Sequence, residues 1–168
     1  MKGIIIAAFA GTGKSYLGEK YKNVIDLEPA SYKWLFDNVS GQIKESDKAT
    51  SKVLNPEWPM NYVNKILEEV NNYDIVLIGL NRESRDILED LGYKYYLCFP
   101  NKNEKNEYLK RFVKRGNPVE FVEKQAYYFE KELPLLYDEK MEKMILSGSE
   151  YIEDYLLRNG YNLIKKEM

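Results

Sequence analysis

The chain has 168 residues, 44% hydrophobic and 31% charged, with 25 Lys and Arg against 27 Asp and Glu, one cysteine and no histidine. This length suits one domain spanning 1–168 around one core, the apolar share excludes a chain dominated by disorder, and a net charge of −2 gives no sign of a nucleic-acid or membrane partner. The lack of histidine excludes serine-histidine hydrolysis and histidine-zinc chemistry, and Cys98 alone forms no internal disulfide, as expected of a cytoplasmic protein.

The first element is "GIIIAA", residues 3–8, a continuous apolar run expected as a strand buried on both faces. A lysine followed by an apolar run resembles a signal peptide, but here it leads directly into Gly11-Thr12-Gly13-Lys14, which needs that strand in front of it. No apolar stretch approaches the roughly 20 residues of a bilayer span. Residues 8–15, "AFAGTGKS", fit G-x-x-x-x-G-K-[ST] with Ala8 in place of the first glycine. Such a turn wraps backbone N–H groups of residues such as Gly11, Thr12 and Gly13 around an anion, and the next helix, 13–22, adds its positive end. Lys14 then reaches the outer phosphates and the Ser15 hydroxyl ligates Mg²⁺.

A second strand, 23–27, ends in "VIDLE", so Asp26 and Glu28 stand two apart on one side of an extended chain. An acid there can hold Mg²⁺ or accept a proton from a substrate hydroxyl, and Asp26 is the better metal candidate. Tyr32 and Trp34 follow in a loop-to-helix connection, as stacking partners for a base or as core packing. The helix over 57–72 carries Val63, Ile66, Leu67 and Val70 at helical spacing. The third strand, 74–79, lacks the acid that usually ends it, since Ile78 and Gly79 stand there; this weakens a motor-type ATPase reading. Arg82 and Arg85 open the next helix, 83–91, and could pair with a substrate phosphate.

After a fourth strand, 93–99, residues 103–141 read as a charged, aromatic helical excursion with breaks at "RGNP" and "LP". Arg111 and Arg115 lie four apart, placing both guanidinium groups on one helix face where they can meet a single anion. A fifth strand, 143–146, precedes "SGSE", in which Ser147 and Glu150 offer a capping box for a last helix reaching about residue 158.

The phosphate loop, the "IDLE" strand end, "IGLNR" and "YLKRFVKRG" together resemble small P-loop kinases of the nucleoside-monophosphate kinase superfamily, adenylate-kinase-like and including phage-type members. The resemblance implies a P-loop NTPase fold, a three-layer α/β/α sandwich with a five-stranded, mostly parallel sheet in the order 2-3-1-4-5 and a helical LID at about 102–133. It implies an ATP- and Mg²⁺-dependent kinase passing the γ-phosphoryl group to a nucleoside monophosphate or nucleoside. Lys14, Arg111, Arg115 and Asp26 would be catalytic, with Ser15 and Asp26 on the metal. Glu28, Tyr32, Trp34, Arg82 and Arg85 would face the acceptor. A homodimer stays open, and so do two other readings: a regulatory nucleotide switch and a kinase of nucleic-acid ends or modified bases.

Overall fold

A computed structural model describes residues 3–35 and 53–167. The strands are β1 (Ile4–Ala8), β2 (Val24–Asp26), β3 (Trp34–Leu35), β4 (Val53–Leu54), β5 (Ile75–Ile78), β6 (Tyr96–Pro100) and β7 (Lys143–Leu146). Five of them form one sheet in the order β2-β5-β1-β6-β7, and every pairing in it is parallel. Leaving aside the antiparallel ribbon of β3 and β4, which the residue pattern did not announce, this is the expected 2-3-1-4-5 order.

The helices are α1 (Lys14–Lys20), α2 (Ala30–Lys33), α3 (Met60–Glu69), α4 (Arg82–Asp90), α5 (Lys105–Lys114), α6 (Val119–Tyr127), α7 (Leu133–Leu136) and α8 (Ile152–Arg158). The sheet divides the core in two. Ile5, Ala7, Phe9, Val76, Ile78, Leu97 and Phe99 pack with α3 to α7 on one face. Ile6, Ala8, Leu77, Cys98 and Met144 pack with α1 and α8 on the other. Successive residues of one strand therefore enter opposite layers, which is why "GIIIAA" is continuously apolar instead of alternating. The result is an α/β/α sandwich.

Two local expectations change. The "LP" sequence does not break the helical excursion: a π-helical turn, Tyr128–Glu132, runs directly into α7, where Pro134 occupies the first turn. A proline there forfeits no helical hydrogen bond, and the π turn shifts the ladder ahead of it. The last helix also starts later than Ser147 implies. Glu150 accepts a long 3.4 Å bond from the Ser147 N–H, but the helix begins at Ile152, where Asp154 accepts from the Tyr151 N–H at 2.8 Å. Burial of Ile152 and Leu156 against the sheet decides the start. No helix among the described residues is long and apolar enough to cross a membrane.

Because the sheet is parallel, its strands' carboxyl ends share one edge, where such sheets carry their sites. Tyr62, fully buried on α3, ties two of those ends together. Its hydroxyl donates to the Leu27 carbonyl at 2.7 Å and accepts from the Gly79 N–H at 3.2 Å. Tyr62→Phe strips both backbone groups of this partner and is expected to cost about 1–3 kcal/mol. Urea denaturation checks this; an unshifted midpoint would mean that the hydroxyl contributes nothing.

Candidate active site

Ala8 ends β1 as extended strand opposite Cys98, a conformation that needs no glycine. The turn proper needs glycine: Gly11 and Gly13 have φ of 79° and 95°. Space imposes the same choice at Gly11, where an added Cβ would come within 2.9 Å of the Phe112 ring. Thr12 is fully buried and donates to the Phe9 carbonyl at 2.7 Å, bracing the turn from within. The Lys14 ammonium donates to the carbonyls of Ala8 (3.1 Å) and Phe9 (3.3 Å). Burial pushes its pKa down, with Asp26 and then Glu28 opposing. A turn of this shape at the start of a helix, with an ammonium beside it, is an anion cradle.

Next along α1, the exposed Ser15 hydroxyl donates to Asp26 Oδ2 at 3.2 Å. The strand-end acid and the loop serine, apart in sequence, thus meet. Among the described residues no group of three or more His, Cys, Asp or Glu is placed to hold a metal ion. Mg²⁺ keeps most of its water and needs only one or two protein oxygens beside substrate phosphates, so a hydroxyl and carboxylate in contact fit that ion.

The two arginines of α5 divide. The Arg111 guanidinium lies between the rings of Tyr108 and Tyr151, 4.3 and 4.0 Å from their centres, and donates to the carbonyls of Gly11 and Ser149, each at 2.9 Å. It fastens α5 and the segment after β7 to the glycine turn. Arg115, at the end of α5, is exposed and lines the cleft together with Lys114. Phe9, Tyr108 and Phe129 pack as an aromatic group beneath, and Phe112 meets Phe121 edge-on, so tyrosine and phenylalanine hold this excursion onto the sheet.

These groups open onto one cleft of about 1130 Å³, running from the glycine turn past Glu28 and Pro29 to Arg82, Arg85 and Glu139. Arg82 and Arg85 share the Glu139 carboxylate, at 2.6 and 2.7 Å. Tyr32 and Trp34 do not line the cleft. Tyr32 packs on the Tyr62 ring at 5.2 Å, and Trp34 sits in the ribbon under the Lys33 ammonium. Tyr128, Gln125, Glu132, Glu139 and Tyr151 do line it, and the residue pattern had not singled them out as site residues. Tyr151 could have been suspected from its place after the fifth strand; nothing local marks Glu139.

No protein-family profile and no curated protein sequence matches this chain. Among solved structures, the chain is similar to the Deinococcus radiodurans tunicamycin resistance protein, with a TM-score of 0.53 and 15% identity over 98% of this chain and 99% of that one. A likeness at that identity speaks for the fold, a P-loop-like α/β/α architecture along nearly the whole length.

Proposed function

We propose that the chain is an ATP- and Mg²⁺-dependent phosphotransferase that moves the γ-phosphoryl group to a small acceptor, a nucleoside monophosphate or nucleoside. The observation that carries this reading is the continuous cleft. A nucleotide switch needs only the glycine turn and its serine, whereas here the space extends past Glu28 to a second wall, with the exposed Arg115 overhead. Resistance to tunicamycin, named for the structural neighbour, is compatible with chemistry on a small molecule.

In this reading Lys14 leaves the Ala8 and Phe9 carbonyls for the outer phosphates, and Ser15 with Asp26 holds the metal ion. Held by Ser15 and Asp26, Mg²⁺ would neutralise phosphate charge. Arg115, with Lys114, meets the charge on the migrating group. Glu28 orients the attacking hydroxyl or takes its proton. Most of the rate then comes from positioning and fixed charge. Arg82 and Arg85 would meet an acceptor phosphate only by releasing Glu139.

The test is ATP consumption measured across a panel of nucleosides, nucleotides and nucleic-acid ends. Turnover stimulated by a small acceptor is expected. Stimulation by nucleic acid alone would move the activity to strand ends or bases, and slow turnover indifferent to every acceptor would make the chain a switch.

A further inference from the structure

Among the residues lining the cleft, Arg82, Arg85 and Glu139 form their own ionic arrangement. Glu139 lies between two guanidinium groups, its Oε1 accepting from Arg82 Nη2 at 2.6 Å and its Oε2 from Arg85 Nη1 at 2.7 Å. One carboxylate thus engages two guanidinium forks, as an incoming phosphate would. Both arginines have further partners. Arg85, whose side chain is 7% exposed, donates from Nε to the Leu80 carbonyl at 3.0 Å and from Nη1 to the Tyr95 hydroxyl at 3.3 Å. Arg82, 53% exposed, also faces Asp86 at 3.4 Å and Glu89 at 3.6 Å. Three carboxylates therefore surround two guanidinium groups.

Acid and apolar side chains line the cleft as well: Glu28 and Glu132, together with Pro29, Leu80, Leu133 and Leu136. Of the described cations lining the cleft, Arg82 and Arg85 are held by a carboxylate, whereas Lys14, Arg111, Lys114 and Arg115 are not. The two guanidinium groups that an acceptor phosphate would need are thus already engaged by Glu139. To seat an acceptor phosphate, Glu139 would have to leave Arg85, which is almost wholly buried, and a second anion would enter beside Glu28 and Glu132. The phosphate would replace the carboxylate on the guanidinium groups, but the displaced Glu139 would stand unpaired beside a second anion, which is unfavourable. An acceptor without charge asks for none of this. It packs on the leucines and offers hydroxyls to the carboxylates, which only accept hydrogen bonds.

Building on the phosphotransferase reading, we infer that the acceptor is an uncharged, hydroxyl-bearing compound and not a phosphate monoester. Glu139 sets that choice by occupying Arg82 and Arg85 in place of an acceptor phosphate.

The experiment first saturates the protein with a non-hydrolysable ATP analogue and Mg²⁺, then titrates matched pairs by calorimetry: adenosine and AMP, guanosine and GMP, cytidine and CMP, uridine and UMP. Wild-type protein is expected to bind no monophosphate below the millimolar range, and Glu139→Gln to tighten monophosphate binding at least tenfold. In turnover with ATP, the uncharged member of a productive pair is expected to exceed its phosphate ester at least tenfold in kcat/KM, and Glu139→Gln to narrow that ratio. Sub-millimolar binding of a monophosphate by the wild type, lost in Arg85→Ala, would overturn the inference and leave the phosphotransferase reading standing. So would an unchanged ratio in a Glu139→Gln protein that melts like the wild type. Failure of the analogue to bind at all would overturn the phosphotransferase reading, and this inference with it.

Discussion

Lys14→Ala is expected to reduce ATP turnover by a factor of about 10² or more, the scale on which a preorganised donor to developing charge contributes. The ammonium sits on two carbonyls of its own loop and burial lowers its pKa, so it already stands desolvated beside the cradle, where a charge acts more strongly than in water. The fold should survive the change, because Gly11, Gly13 and Thr12 shape the turn. Binding of an ATP analogue and steady-state turnover are the measurements. Normal values of both, in a protein that melts normally, would remove the glycine turn from nucleotide binding.

Arg115→Ala is expected to lower kcat by roughly 10³ or more if it acts as arginines do in comparable phosphoryl transfers, with ATP-analogue affinity and melting temperature little changed. Its exposure and its place over the cleft support that split between rate and stability. Arg111→Ala provides the contrast. Its guanidinium holds two backbone carbonyls between two rings, so its loss is expected to lower thermal stability as well as activity, as detachment of α5 would. Equal rates for wild type and Arg115→Ala would return Arg115 to an ordinary surface charge.

The two central strands were legible because each is buried on both faces and so is apolar without interruption: "GIIIAA" and "DIVLIG" correspond to β1 and β5. The glycine turn was legible because backbone conformation at Gly11 and Gly13 demands a particular residue. The strand order was implied by family resemblance, since periodicity says nothing about which strand lies beside which. What stayed hidden joins residues far apart in the chain. Glu139 meets Arg85 across 54 positions and Arg82 across 57, while Arg111 meets the Gly11 carbonyl across 100. No spacing rule links such pairs; only the topology brings them together. The same limit explains why Arg111 and Arg115 looked equivalent on a helix face, for the difference between them lies in what the facing loop offers.

The Tyr62 hydroxyl, with one hydrogen bond to the end of β2 and one to the end of β5, makes the acceptor side of the cleft a fixed jaw. Pro29 and Gly79 reinforce it: a methyl group at Gly79 would come within 2.5 Å of the proline ring, so the two lips are in contact as well as bonded. The opposite side of the cleft, with α5, is held differently. Its tether to the glycine turn is the Arg111 guanidinium, stacked between two tyrosines and bonded to two carbonyls that have no charge to hold it. A nucleotide arriving in that turn would meet the fastening of α5 directly.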